Sequence, residues 1–104
     1  MPQFDVYSNP NNETNTYIPY LLDVQADLLD VLATRVVIPL HTTASITKPA
    51  RHLNPVVYIE HESFVLSTAE LAGIPMSMLG EPVTNISEQR EDIIAALDFV
   101  FTGI

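Results

Sequence analysis

The chain contains no cysteine and no tryptophan, and only three glycines in 104 residues. The first absence excludes disulfides and thiolate metal sites. Three glycines are too few for a Gly-rich phosphate loop, and no such pattern occurs. Basic residues are the next shortage: four Lys and Arg stand against thirteen Asp and Glu, a net charge of −9. Such a chain repels phosphate backbones, which argues against direct nucleic-acid binding. It favours a partner with basic side chains instead. No basic start leads into an apolar run, and no apolar stretch approaches membrane-spanning length. A soluble, cytoplasmic protein with no membrane partner is expected.

Apolar surface is what the chain has in excess. Hydrophobic residues make up 47% of it, with a mean hydropathy of +0.20. A single domain over residues 1–104 buries roughly two-thirds of its unfolded surface around one core. The surplus calls for a self-association surface, so a homodimer is expected.

β patterns fill the first four-fifths of the chain. Residues 3–7 alternate with Phe4 and Val6 on one face, predicting a strand. Residues 8–16 (Ser-Asn-Pro-Asn-Asn-Glu-Thr-Asn-Thr) read as a polar, mobile loop with nothing to bury. Residues 20–25 predict a second strand with Leu22 and Val24 inward, and residues 28–32 fit a turn plus loop. A third strand over residues 35–40 should end near Pro39, because proline cannot donate to the ladder. The connection 41–54 carries Lys48, Arg51 and His52. Residues 55–60 and 63–67 predict a hairpin turning at His61 and Glu62. Residues 68–73 fit one helical turn stopped by Gly73, and residues 74–79 a last strand with Met76 and Met78 on one face.

A helix should close the chain. Asn85 with Glu88 three residues later fits a capping box, and Ser87 is an alternative cap. Ile93, Ile94, Leu97, Phe101 and Ile104 fall on one stripe at a spacing near 3.6, and Gly103 is the natural stop. An apolar helix ending this way either completes a core or presents a binding tip. Short strands with a closing helix predict a mainly β fold, a small and partly open antiparallel barrel with the helix packed against it.

Signs of catalysis are few. His41, His52 and His61 are eleven and nine residues apart, not at metal-ligand spacing, and read as solvated loop histidines. No nucleophile-elbow pattern surrounds any serine. Asp23 and Asp27 read as surface acids rather than a catalytic dyad. Arg35, Lys48, Arg51 and Arg90 are scattered, which is not how a nucleic-acid hydrolase holds phosphates. Neither enzymatic activity nor a cofactor or metal is expected.

Several stretches taken in order are more specific. They are Gln3-Phe4-x-Val6-Tyr7, Asp23-Val24-Gln25-Ala26-Asp27-Leu28-Leu29-Asp30 and Arg35-Val36-Val37-Ile38-Pro39-Leu40. Asn54-Pro55-Val56-Val57-Tyr58-Ile59, Ile74-Pro75-Met76-Ser77-Met78-Leu79-Gly80-Glu81 and the run from Arg90 to Ile104 follow. In this order and spacing the chain resembles, end to end, the CcdB family of toxins that poison DNA gyrase. The resemblance implies an SH3-like barrel with a C-terminal α-helix, assembled as a two-fold homodimer. It implies binding to the DNA gyrase A subunit, trapping of gyrase on cleaved DNA, and release by a CcdA-like antitoxin. The gyrase-binding residues it implies are Leu28, Leu29, Asp98, Phe101, Thr102, Gly103 and Ile104. For the antitoxin they are Ser8, Asn9, Asn11, Asn12, Glu13, Lys48 and Arg51.

Thr102 stands where the family picture has a tryptophan stacked on a gyrase arginine, and Asp98 stands in place of an amide. The Asp98 carboxylate can pair with that arginine through a charge-assisted hydrogen bond. Two further readings stay open. One is a non-toxic or weakly toxic homologue that mainly binds antitoxin. The other is a ribonuclease toxin of the MazF type, whose fold is similar.

Overall fold

Among the described residues, seven strands, most of them with alternating apolar residues, form the sheet, and one α-helix covers it. In the computed structural model, which describes residues 2–46, 48–50 and 52–103, these are β1 (Asp5–Ser8), β2 (Tyr20–Asp23), β3 (Thr34–Thr42), β4 (Val56–Ile59), β5 (Glu62–Leu66), β6 (Ala72–Pro75), β7 (Pro82–Asn85) and α1 (Arg90–Thr102). All pairings are antiparallel, in the order β4-β5-β3-β2-β1-β7, with β6 added alongside β3. The sheet curls into a partly open barrel, the mainly β fold with a C-terminal helix that the sequence predicts. Phe4, Val6, Leu22, Val24, Ile38, Leu40, Val57, Ile59, Phe64 and Leu66 fill it, and Ile86, Ile93 and Ala96 close it from the helix side.

The ends of the strand order, β4 and β7, are brought together by a side chain. Gln89, just beyond β7, takes the Tyr58 amide on its Oε1 (2.9 Å) and donates its Nε2 to the Tyr58 carbonyl (2.8 Å). It mimics a neighbouring strand and satisfies the exposed edge of β4.

Several expectations need correction. β3 does not end at Pro39 but runs on to Thr42. On one edge of β3, β6 leaves at Val37 and β5 joins at Leu40, so no strand asks Pro39 for a donor. Its carbonyl accepts from the Ser67 amide (3.1 Å). The hairpin turns at Glu60 and His61, one residue earlier than expected, with both at positive φ (51° and 72°). That is the conformation a two-residue hairpin of matching twist demands.

Gly73 does not stop a helical turn; it lies inside β6, and the 3₁₀ turn Thr68–Glu70 ends before it. Met76–Met78 is itself a 3₁₀ turn rather than a strand. The strand β7 was not anticipated. It is held to β1 through Ser8, whose amide donates to the Glu81 carbonyl and whose Oγ accepts from the Glu81 amide (both 2.9 Å). A Cβ at Gly80 would lie 2.3 Å from the Ser8 Oγ, so only glycine fits this crossing.

The helix starts later than the capping box suggests. Asn85 Oδ1 accepts from the Ser87 amide (2.9 Å), opening a 3₁₀ turn over Ser87–Gln89, and α1 begins only at Arg90. Asn85 is drawn away from a helix cap because its Nδ2 bonds the Gln3 carbonyl (3.0 Å) and Asp5 Oδ1 (2.9 Å).

Candidate functional site

The first half of α1 belongs to the core and the second half does not. Ile93 and Ala96 are buried, and Ile94 and Leu97 pack against the core cluster. Beyond them Phe99 lies against the His52 ring (centroids 5.3 Å apart), while Phe101 is 70% exposed. Asp98, Thr102 and Gly103 are exposed as well. The stripe read from the sequence therefore divides: Ile93 anchors the helix, and Phe101 is offered to solvent. Gly103 caps the helix in the left-handed conformation (φ 74°), its amide bonding the Phe99 carbonyl at 2.9 Å. Thr102 folds its Oγ1 back onto the Asp98 carbonyl (2.7 Å). Ile104 lies outside the described residues.

Leu28 and Leu29, the other implied gyrase contacts, lie in a knuckle after β2. A 3₁₀ turn over Asp27–Leu29 continues through a Leu32 amide to Leu29 carbonyl bond (3.1 Å). Leu28 is 92% and Val31 94% exposed, whereas Leu29 and Leu32 are about half covered. Exposed apolar side chains on a turn this short need support, and the support is ionic.

Arg35, on β3, is fully buried and gives its Nε (2.8 Å) and one Nη (2.7 Å) to Asp23 Oδ2. Its other Nη reaches Asp30 Oδ1 in the knuckle at 2.9 Å. Asp23 Oδ1 accepts the Gln25 amide (2.9 Å), and Gln25 in turn bonds the Leu29 carbonyl (2.9 Å) and the Val36 amide (3.1 Å). Asp27 takes the Gln3 amide on its Oδ1 at 2.7 Å. Asp23 is thus no surface acid, as the sequence suggested, but a buried member of a bonded network. Burial pushes its carboxyl above the ordinary value, opposed by the Gln25 amide and by Arg35.

The loop expected to meet antitoxin is wound rather than loose. Asn9 Nδ2 donates to Thr14 Oγ1 (2.9 Å) and to the Ile18 carbonyl (2.8 Å). The Asn11 carbonyl accepts from the Thr14 and Asn15 amides, and Asn11 Oδ1 from the Glu13 amide. Ser8 and Asn9 are half-buried in these bonds, leaving Asn11, Asn12 and Glu13 exposed. Beside the loop runs a groove of about 540 Å³, with Leu21, Pro39, Ile74 and Met78 among its apolar walls. Lys48 is exposed, and Arg51 lies outside the described residues.

His41 is not a solvated loop residue either. It sits at the end of β3 with its side chain largely covered, its Nε2 2.9 Å from Glu70 Oε1. The same oxygen accepts the Ser67 hydroxyl at 2.5 Å, which together with His41 holds the Glu70 carboxyl below its usual range. The carboxylate stands between serine and histidine, so the histidine is not placed to take the serine's proton, as a nucleophile requires. No group of three or more metal-ligating side chains is placed to hold an ion among the described residues.

A family model described as CcdB protein matches residues 3–103. The chain belongs to the CcdB family. Among solved structures, a mycobacterial endoribonuclease in complex with its cognate antitoxin is similar, with a TM-score of 0.75 at 14% identity, over 97% of this chain and 94% of that one. A second mycobacterial endoribonuclease has a TM-score of 0.75 at 13% identity, over 97% and 90% of the two chains. At these identities the likeness is one of fold. Family membership supports a toxin of a toxin–antitoxin system.

Sequence reasoning missed the Asp23–Arg35–Asp30 network and Val31. The signal was there: Arg35 opens an apolar strand on the face shared with Val37, where a charge needs a partner. Asp23 and Asp30 bracket the preceding turn.

Proposed function

We propose that this CcdB-family protein is a toxin that binds the DNA gyrase A subunit, traps gyrase on cleaved DNA and is released by a CcdA-like antitoxin. It acts by binding and carries out no bond chemistry of its own. The observation that carries this reading is the divided helix: Ile93 and Ala96 lock its first half into the core, while Asp98, Phe101 and Gly103 are left exposed at its end. A rigidly held tip whose Asp98 and Phe101 are left exposed suits a partner's cleft. The Asp98 carboxylate is free to meet an arginine there. The working unit is a cytoplasmic homodimer, in keeping with the apolar surplus and with the exposure of Tyr58, Met76 and Met78 away from the helix tip.

The antitoxin is expected to be basic and to approach the exposed Asn11, Asn12 and Glu13 of the loop, with Lys48 and Arg51 as further contacts. A ribonuclease reading has the fold of the two mycobacterial enzymes behind it. Charge weighs against it: of four basic residues Arg35 is bound inside the core, and the chain carries −9.

Supercoiling by purified gyrase in the presence of the protein, with RNA cleavage followed in parallel, tests the proposal. Loss of supercoiling with intact RNA is expected. Cleaved RNA with unimpaired gyrase would transfer the protein to the ribonuclease class. Neither effect, with antitoxin binding retained, would identify the non-toxic homologue.

A further inference from the structure

We infer that the outer edge of β4 accepts one extended, basic segment of a partner protein as an added strand, and that the Gln89 carboxamide is the placeholder this segment displaces. The inference is independent of the gyrase reading, since it uses neither the helix tip nor the turn after β2.

β4 and β7 end the strand order, so among the described residues no strand lies beyond either. The Tyr58 amide and carbonyl point away from β5, because Gln89 holds both, at 2.9 and 2.8 Å. Backbone groups on an antiparallel strand face the same side at every second residue, so those of Val56 point outward too. The Val56 and Tyr58 side chains are 43% and 56% exposed, whereas Val57 and Ile59 turn into the core. A short apolar edge of this kind is a template for another strand.

Gln89 identifies what the edge takes. Its carboxamide donates to the carbonyl and accepts from the amide of one residue, as the opposite residue of a neighbouring strand does. The side chain thus copies one residue of an absent strand. Its backbone is held separately: the Gln89 amide bonds the Ile86 carbonyl at 2.9 Å, so the 3₁₀ turn over Ser87–Gln89 survives when the side chain swings away. An extended peptide replaces both bonds to Tyr58 and gains the Val56 groups as well.

Charge narrows the partner. A cleft of about 420 Å³ opens beside this edge, walled by Tyr58, Glu60 and His61 of the hairpin and by Thr84, Glu88 and Gln89 on the β7 side. Glu60 and Glu88 are exposed, and no Lys or Arg of the described residues lines the cleft. In a chain of net charge −9, a Lys or Arg of the incoming strand meets two carboxylates, and an acidic strand is repelled.

The test measures binding of a short capped peptide alternating valine and lysine to the full chain, together with amide hydrogen exchange. The controls are the same peptide N-methylated at every residue and a valine–glutamate peptide. The valine–lysine peptide should bind and slow exchange at the Val56 amide, and neither control should bind. Gln89→Ala should bind it about fivefold more tightly, because the bonds to Tyr58 no longer compete. Glu60→Gln with Glu88→Gln should weaken binding and flatten its salt dependence. An N-methylated peptide that binds as well shows attraction by charge alone and overturns strand addition. Gln89→Ala binding no more tightly than the parent overturns the placeholder role, and unchanged affinity in the double glutamine variant overturns the basic partner. Val56 exchange that slows with protein concentration alone assigns the edge to a second copy of the chain and overturns the inference.

Discussion

Arg35 and Asp23 form a fully buried ion pair, Nη to Oδ2 at 2.7 Å, at the point where β2 ends and β3 begins. The pair has little to do with net charge and much to do with shape. With Asp30 it ties a surface turn to the interior, so the strand that supplies the core also fixes an exposed knuckle.

Removing one partner leaves a buried charge without its counter-ion. Arg35→Ala and Asp23→Ala are each expected to lower stability by about 3–5 kcal/mol in urea denaturation, because the desolvation cost of the survivor is no longer offset. The double variant Asp23→Leu with Arg35→Met should recover much of that loss.

The two halves of the helix should separate in mutagenesis. Ile93→Ala is expected to cost about 2–5 kcal/mol, since Ile93 is fully buried in the core cluster. Phe101→Ser should stay within about 0.5 kcal/mol of the parent protein, as an exposed position with no core contact does. Thermal unfolding followed by circular dichroism distinguishes these outcomes.

Gln89 offers a smaller test of barrel closure. Gln89→Ala removes both bonds to the Tyr58 backbone and is expected to cost about 1 kcal/mol. Faster hydrogen exchange at the Tyr58 amide, with exchange in β2 unchanged, would locate the effect.

Tyr7 sets a limit at high pH. Burial, reinforced by the charges of Asp5 and Asp23 and a hydrogen bond to Asp5, pushes its hydroxyl up to about 12 from an ordinary 10. Folding therefore favours the protonated phenol. Its contribution is complete below the unfolded value of 10 and is lost as pH rises from there through about 12. Stability measured over that range should fall, and Tyr7→Phe should fall less.

Much of the fold is legible in the sequence because it depends on local alternation. Val57 and Ile59, or Leu22 and Val24, need only a pleat to turn inward, and their period of two declares it. What escapes depends on partners distant in sequence. Pro39 ends nothing because two strands change places beside it, and β7 exists because Ser8 receives Glu81 from across the chain. The candidate site divides in the same way. Phe101 and Gly103 are readable from helix periodicity and a stop signal, whereas the anchoring of the turn that carries Val31 depends on Arg35 reaching Asp30. Local spacing does not encode such a contact.

The most direct test of the account is the amount of linear DNA that gyrase leaves after detergent and protease treatment, with the parent protein and with Gly103→Glu. A Cβ at Gly103 meets nothing within 4 Å, so the variant should remain folded, at a cost of about 1–2 kcal/mol from its positive φ. Linear DNA should accumulate with the parent and be absent with Gly103→Glu, which still unfolds cooperatively at a melting temperature several degrees lower. No linear DNA with the parent, or equal amounts with both proteins, would contradict the account.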